Sequence, residues 1–443
     1  MKKRLFCLSL AYAAGSLLSY PPFNLGWLSL ISLLPLFFLL ETGVSALFYL
    51  GLTLLFNLLY FLWLARTNIP GWFLLSLFFT CSSLPGFFLL RYFLRRRWLV
   101  ALSFLLVFFE YIRVASDYAL PFQISGYTQW NIYSVRQLAS IGGVWLVSWF
   151  LYSVNLIFFD LLRRRRLRWL WLLVLLALLA AANYPQVYKY KDSIRVALIQ
   201  TNLRLDTEPL DEDLFWQTYT GACLAAARQN PELYIWPEVA LYKSLREDKD
   251  SARRLRELLT ALDAGIILGN RDSRNFDLRF NNNYNAVFYI DKGGMVRGTH
   301  YKQKLIPFME TANDQLPLLP YFIRNKLQAG IYRKGADREL FTLKPGLKIA
   351  PLICYEAVSG RYVREFTRQQ PAFIINVSSD GWSRSLTEHQ LNLYFNVFRA
   401  VENRMYLVRV AEDGISAVIS PQGDILAALP AFTSGHIVRD IPY

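Results

Sequence analysis

The sequence predicts an all-α polytopic membrane domain of about seven spans over residues 1–188, followed over residues 189–443 by a layered α/β domain. Two observations predict this division. Charge-free apolar stretches dominate the first part, and short apolar runs alternating with helical stretches dominate the second. The charge is divided the same way. Residues 1–190 hold 16 Lys+Arg against 4 Asp+Glu, whereas residues 191–443 hold 32 against 29, so nearly all of the net charge of +15 belongs to the apolar part. A basic excess confined to loops between apolar stretches marks membrane topology and not a nucleic-acid surface. At 54% hydrophobic residues the chain is too apolar to be disordered. Four cysteines exclude a disulfide scaffold, and three scattered histidines, His300, His389 and His436, speak against a His-based metal site.

The spans follow in order. Residues 5–40 carry no charge, and Pro21-Pro22 splits them into two short spans. Residues 42–65, 67–90, 98–109, 137–159 and 169–188 supply the other five. The basic start of Met1–Tyr20 also suits a signal peptide, but no small-residue cleavage site precedes Pro21, so this run reads as the first span. Lys2, Lys3 and Arg4, then Arg91 to Arg97, then Arg163 to Arg168 all fall on one side if there are seven spans. The positive-inside rule makes that side cytoplasmic. The second domain is then extracytoplasmic, which in a diderm bacterium is the periplasm. Glu110 and Arg113 share one helix face at the end of the fifth span. They read either as an ion pair at the interface or as polar groups lining a cavity at the membrane surface. The neutral segment LPFQISGYTQW after them reads as an interfacial or re-entrant loop.

In the second domain, residues 194–200, 233–238, 264–270, 284–290, 347–356, 373–379, 407–413 and 416–423 read as strands. LFWQTYTGACLAAARQN and ARRLRELLTALDA have helical periodicity. Three reactive groups stand at strand ends: Glu238 after LYIWP, Lys302 in HYKQKLIPFME, and Cys354 after KIAPLI. Together they could form an acyl-transfer centre, with a thiolate to attack a carbonyl carbon, a carboxylate to move protons and a cation to stabilise the oxyanion. An ammonium near Cys354 is expected to lower its pKa. Taken singly, each residue reads as an ordinary buried thiol or surface charge. Cys7, Cys81 and Cys223 read as packed, unreactive thiols. No Gly-rich phosphate loop occurs, and no metal, nucleotide or other cofactor is implied.

The wording around these residues resembles the nitrilase superfamily of carbon-nitrogen hydrolases, and within it the apolipoprotein N-acyltransferases. The marks are WPE at 236–238, YK…LIPF…E at 301–310 and ICYE at 353–356, in that order. GSLLSYPPFNLGWLSLISLLPL, FFEYIR, GYTQW and RQLASIGGVWLVSWFLYSVN resemble the membrane half of the same family. The resemblance implies a nitrilase-like α-β-β-α sandwich over 189–443. It implies Cys354 as nucleophile, Glu238 as general base and Lys302 as oxyanion stabiliser. Glu310 is the supporting carboxylate, and Tyr355 and Glu356 shape the pocket. It also implies an acyl donor, a membrane phospholipid, and an acceptor, the α-amine of the S-diacylglyceryl cysteine of an apolipoprotein.

Some letters depart from the family. Met309 stands where Gly is common, SSDGWSR (378–384) replaces a stretch like SNDAWFG, and Leu391 replaces a second His. The family usually has a further helix after the catalytic domain, and here the run HIVRDIPY reaches Tyr443 with no apolar tail. Two rival readings share the site. One is a membrane-tethered carbon-nitrogen hydrolase, or an acyltransferase with another amine acceptor. The other is a non-catalytic protein of this fold. A transporter is disfavoured because the spans show no second pseudo-repeat.

Overall fold

The computed structural model describes residues 2–115, 120–186, 188–203, 211–241, 244–273, 283–307, 309–310 and 332–443. The chain forms two compact units. One comprises Met1–Ser116, Leu120–Gln186 and Ser383–Tyr394, and the other Asp117–Ala119, Val187–Trp382 and Phe395–Tyr443.

The first unit is helical. Its main helices are Lys2–Ser19, Leu34–Glu41, Ala46–Tyr60, Ile69–Ser82, Leu84–Arg96, Leu99–Val114, Ala139–Arg164 and Trp169–Ala182. They occupy all seven stretches that the sequence marks as apolar. Among the described residues, Ile69–Arg96 and Ala139–Arg164 are long and apolar enough to cross a membrane. Gly26–Glu41, Ala46–Tyr60 and Trp169–Ala182 are shorter apolar helices. Side chains set the helix starts: Ser45 accepts from the Phe48 N–H and Asn68 from the Gly71 N–H.

The packing between these helices mixes buried apolar side chains such as Phe37, Phe61 and Phe159 with polar contacts. Asn57 Nδ2 donates to Thr80 Oγ1 (2.9 Å), and Asn155 takes the Leu33 N–H (3.0 Å) while donating to Ser29 O (2.8 Å). Large apolar side chains such as Leu55, Leu74, Phe104 and Leu173 face outward. Buried small polar groups among the apolar ones, together with bulky apolar side chains turned outward, is the arrangement of helices packed in an apolar solvent. Cys7 and Cys81 are exposed on helices Lys2–Ser19 and Ile69–Ser82, which corrects the expectation that they are packed. The segment LPFQISGYTQW is a buried insert, with its turn Ser125–Gln129 packed inside the unit.

The second unit holds two six-stranded sheets. The first contains β1 (Ser193–Gln200), β2 (Leu233–Ile235), β3 (Gly265–Ser273), β4 (Asn283–Ile290), β5 (Val296–Tyr301) and β12 (Gly435–Pro442). The second contains β6 (Phe341–Lys344), β7 (Leu347–Ile353), β8 (Phe373–Ser378), β9 (Leu407–Ala411), β10 (Ser416–Ile419) and β11 (Ile425–Leu429). Their orders are β12-β1-β2-β3-β4-β5 and β11-β10-β9-β8-β7-β6. In each sheet three central strands run parallel, β1-β2-β3 in one and β7-β8-β9 in the other, with antiparallel strands outside them.

Alternation along the strands builds the layers. Ile194, Val196 and Leu198 of β1 join Ile349, Phe373 and Val410 in the core between the sheets. Ala197 and Ile199 point the other way, onto Phe215, Tyr219 and Leu255 of helices Glu212–Ala227 and Lys249–Leu262. Helix Gly360–Thr367 buries Tyr362, Val363 and Phe366. The result is an α-β-β-α sandwich. All eight strands read from the sequence are present, while β5, β6, β11 and β12 are additions. The terminal run HIVRDIPY, a loose end by composition, is β12, zipped antiparallel along the whole of β1.

Candidate active site

Glu238 and Cys354 follow the carboxyl ends of central strands, where ligand crevices of parallel sheets commonly lie, and Lys302 follows the edge strand β5. Glu238 follows β2, on a segment tied to β3 by the Trp236 N–H to Ile267 O bond (2.8 Å) and the Gly269 N–H to Pro237 O bond (3.0 Å). A Cβ at position 269 would lie 2.5 Å from the Glu238 Cα, so only glycine allows this approach. Lys302 extends β5, its N–H donating to Asn285 O (2.8 Å). Cys354 opens the turn Cys354–Val358 directly after β7. Its φ of 45° and the φ of 51° at Val239, beside Glu238, are left-handed and costly for residues with a Cβ, about 1–3 kcal/mol each.

Lys302 Nζ donates to Glu238 Oε1 (2.9 Å) and to Glu310 Oε1 (2.7 Å). Glu310 Oε2 accepts from the Ile306 N–H (2.8 Å). Asn285 Nδ2 donates to Glu238 Oε1 (2.6 Å), and the Ser379 N–H to Glu238 Oε2 (2.9 Å). Lys302 is fully buried. Burial opposes its charge, but Glu238 and Glu310 outweigh burial and hold its pKa well above the ordinary value. Lys302 is therefore a fixed ammonium.

The thiol behaves differently from the sequence expectation. Burial, then the negative charge of Glu238, push the Cys354 pKa well above that of a free thiol, and the opposing pull of Lys302 does not reverse this. The correction has a simple cause: burial and the Glu238 charge together outweigh the Lys302 ammonium. The resting nucleophile is a neutral thiol with a carboxylate at hand to take its proton, not a preformed thiolate. Cys223 is a useful contrast. It is buried against the Trp236 Nε1–H (3.3 Å), burial pushes it up to about 12, and it has no acid–base partner of this kind.

The supporting residues divide. Tyr355 adjoins the nucleophile in its turn, and burial raises its phenol. Glu356 is not a pocket wall but an anchor, fully buried, meeting His300 Nε2 (2.9 Å), the N–H groups of Gln303 (2.6 Å) and Ile353 (2.9 Å), and the Tyr362 hydroxyl (2.8 Å). Burial opposes its charge, but His300 and these donors hold its pKa below the usual range. It thus clamps the residue after Lys302 to the residue before Cys354. Phe308 of the LIPF motif lies outside the described residues.

Sequence reasoning missed Asn285, the Ser379 N–H, Asn376 and Arg409. Asn376 Nδ2 donates to the Cys354 carbonyl (3.2 Å), and Arg409 Nη1 to Asn376 Oδ1 (2.7 Å). The available signal was a polar residue inside an apolar strand: Asn285 in YNAVFYI, Asn376 in FIINVSS, Arg409 in LVRVA.

Glu110 and Arg113 belong to the helical unit. Both line a cavity of about 270 Å³ together with Tyr20, Asn57, Gln123 and Tyr152. Of the two readings of this pair, the ion pair is not formed. Glu110 Oε1 accepts from the Ser125 N–H (2.7 Å) and the Tyr152 hydroxyl (2.5 Å), while Arg113 Nη2 donates to Gln123 O (3.1 Å). Glu110 Oε2 and Arg113 Nε are buried without protein partners.

Two opposed sheets with helices outside, and a thiol beside a carboxylate–ammonium–carboxylate chain, define a class: a thiol-bearing α-β-β-α sandwich fused to a helical unit. Comparison with known proteins narrows it. The carbon-nitrogen hydrolase family matches residues 195–443, and the apolipoprotein N-acyltransferase N-terminal domain matches residues 13–157. The apolipoprotein N-acyltransferase 1 of Treponema pallidum is 27% identical over 394 residues, 79% of this chain and 72% of that protein. The apolipoprotein N-acyltransferase of Geobacter metallireducens is 29% identical over 350 residues, 75% of this chain and 66% of that protein. That of Borreliella burgdorferi is 25% identical and covers 100% of this chain and 90% of its own. The chain belongs to the carbon-nitrogen hydrolase family, in the branch that carries the apolipoprotein N-acyltransferase N-terminal domain.

Proposed function

We propose that this chain is an N-acyltransferase that moves an acyl chain from a membrane phospholipid, through a thioester on Cys354, to the α-amine of the S-diacylglyceryl cysteine of an apolipoprotein. What carries the reading is the meeting of Glu238, Lys302 and Glu310 around a neutral Cys354, in a chain whose first part matches the N-terminal domain of the acyltransferases.

Glu238 takes the thiol proton as sulfur attacks the ester carbonyl. The tetrahedral oxyanion forms within the field of the Lys302 ammonium. Collapse breaks the C–O bond, and the lysophospholipid alkoxide leaves with the proton held by Glu238. The incoming amine then attacks the thioester, Glu238 removes its proton, and the C–S bond breaks to give the amide and to restore the thiol. No water is consumed. Glu310 holds Lys302 in place throughout.

In this reading residues 1–188 form a multi-pass domain of seven spans in the bacterial inner membrane, and residues 189–443 form the catalytic domain on its periplasmic side. Outward apolar faces and the arginine clusters of alternate loops support it. Glu110 and Arg113 give the membrane domain a polar cavity able to receive a lipid head group. Alanine at both positions should slow lipid turnover, and unchanged turnover and stability would remove them from the site.

The test of the reading is the acyl-enzyme. Intact-protein mass spectrometry of the detergent-solubilised chain with phospholipid and no acceptor should show one added acyl group, removed by hydroxylamine. No adduct, or one that persists in Cys354→Ala, contradicts it.

A further inference from the structure

One fully buried charge takes no part in the chemistry above. Arg409 sits in the middle of β9, a strand buried along its whole length. A guanidinium there is costly unless every donor finds a partner. Each of its three nitrogens makes a hydrogen bond. Nη1 donates to Asn376 Oδ1 (2.7 Å), Nη2 to Asp380 Oδ2 (2.5 Å) and Nε to Ile415 O (3.2 Å). Asp380 is itself fully buried, and its second oxygen accepts from Ser378 Oγ (2.7 Å). A Cβ at position 414 would lie 2.0 Å from Asp380 Oδ2, so a glycine makes room for the carboxylate.

Both arms of the fork end on the reacting groups. Through Asn376 one arm reaches the Cys354 carbonyl (3.2 Å), the residue held at a φ of 45°. Through Asp380 and Ser378 the other arm braces the turn whose middle N–H, that of Ser379, holds Glu238 Oε2 (2.9 Å). A left-handed cysteine relaxes unless its peptide is pinned. Lys302 and Asn285 hold only Oε1 of the base, so its Oε2 shifts if the Ser379 N–H can swing.

We propose that Arg409 is a positioning residue that locks the nucleophile and the general base into one geometry, by tying the Cys354 peptide through Asn376 and the Ser379 N–H through Asp380. This rests on the acyl-transfer reading only for the roles of Cys354 and Glu238. A planar fork is essential to it. Lysine could keep the charge opposite Asp380, but as a point charge it cannot hold both arms.

The experiment uses the full chain in detergent. Two rates are read: acyl-enzyme formation from phospholipid, and alkylation of Cys354 by iodoacetamide across pH, followed on its own peptide. Arg409→Lys and Asn376→Ala should each slow acylation about 100-fold with KM for phospholipid unchanged. The double variant should be no slower than the worse single, because one arm is cut in both. Arg409→Met could fail to fold by stranding Asp380. The paired Arg409→Met/Asp380→Leu removes both charges, so it should melt at or above the wild-type temperature and still acylate about 100-fold slower. Wild-type acylation by Arg409→Lys or by the paired variant overturns the proposal. So does a loss that merely tracks the melted fraction. If the wild type forms no acyl-enzyme, the acyl-transfer reading fails instead. The alkylation profiles then decide: variants that differ from wild type uphold the lock, and identical profiles overturn it.

Discussion

The two units of this chain both bury apolar side chains, Phe37, Phe61 and Phe159 among them in the helical unit, but they turn opposite things outward. In the helical unit Ser76, Thr80, Ser103 and Asn155 are inside, while Leu55 and Leu173 are 54% and 58% exposed. In the sandwich Val196, Ile235, Ile349 and Val408 are inside, and the helix Lys249–Leu262 turns Arg253, Glu257 and Asp250 to the surface. In water, burying apolar area drives folding. Within a bilayer that drive vanishes between helices, and hydrogen bonds and close packing replace it. The same contrast governs the polar residues of the two sites. Glu110 takes two donors and leaves one oxygen unpartnered in a cavity. Glu238 has both oxygens engaged and an ammonium beside it. A fully paired carboxylate holds a fixed geometry, as chemistry needs, whereas an incompletely paired one is open to a ligand.

The sharpest way to separate the units is to remove the nucleophile. Cys354→Ala should lower acyl transfer by at least about 10⁴-fold, with helix content and membrane insertion intact, as read by product formation and circular dichroism. Next comes Lys302→Ala. It should cost about 10²–10³-fold in turnover and about 3–5 kcal/mol in the stability of the sandwich, because Glu238 and Glu310 are left buried without their cation. Chemical denaturation would check the second figure, and an unchanged midpoint would show that Lys302 is not the keystone of the chain of charges.

The outer faces give the third test. Leu55→Arg, in the middle of helix Ala46–Tyr60, should cost about 2.5–3.5 kcal/mol in insertion if that face meets lipid. Leu224→Arg, exposed on a helix of the sandwich, should change stability by about 0.5 kcal/mol or less. Membrane fractionation that treats the two variants alike would break the comparison. The fourth concerns Glu412, fully buried, accepting from the Thr201 hydroxyl, the Leu203 N–H (2.8 Å) and the Tyr219 hydroxyl (2.6 Å). Burial raises its pKa from 4.5 to about 7 despite these donors. The folded carboxyl binds its proton more tightly than the unfolded one. Its stabilisation is therefore complete below about pH 4.5 and is lost as pH rises through about 7, a change of about 3 kcal/mol at most. Melting of Glu412→Gln should lack this slope, and parallel pH profiles for the two proteins would contradict it.

The sequence carried the groups that do chemistry better than those that hold them. Glu238 and Cys354 follow strong strand signals, and the motif wording around them and Lys302 made the three legible as a set. β5 was not, because this edge strand reads VRGTHY with no apolar run, and β11, though its ILAAL is apolar, is a short edge strand with no alternation to mark it. β12 is a strand because β1 offers it an edge, a fact that no local pattern contains. Asn285, Asn376 and Arg409 read as blemishes in apolar strands, since their meaning lies in partners far away in sequence. The raised thiol of Cys354 was invisible for the same reason: proximity of Lys302 could be guessed, but not that burial and the Glu238 charge outweigh it.

The central claim is tested most directly by incubating the solubilised protein with phospholipid and a synthetic S-diacylglyceryl-cysteine peptide, with Cys354→Ala alongside. The account predicts one acyl group on the peptide amine, formed by the wild type and absent with Cys354→Ala. An amide product made equally well by Cys354→Ala, or a released fatty acid with no amide, would contradict it.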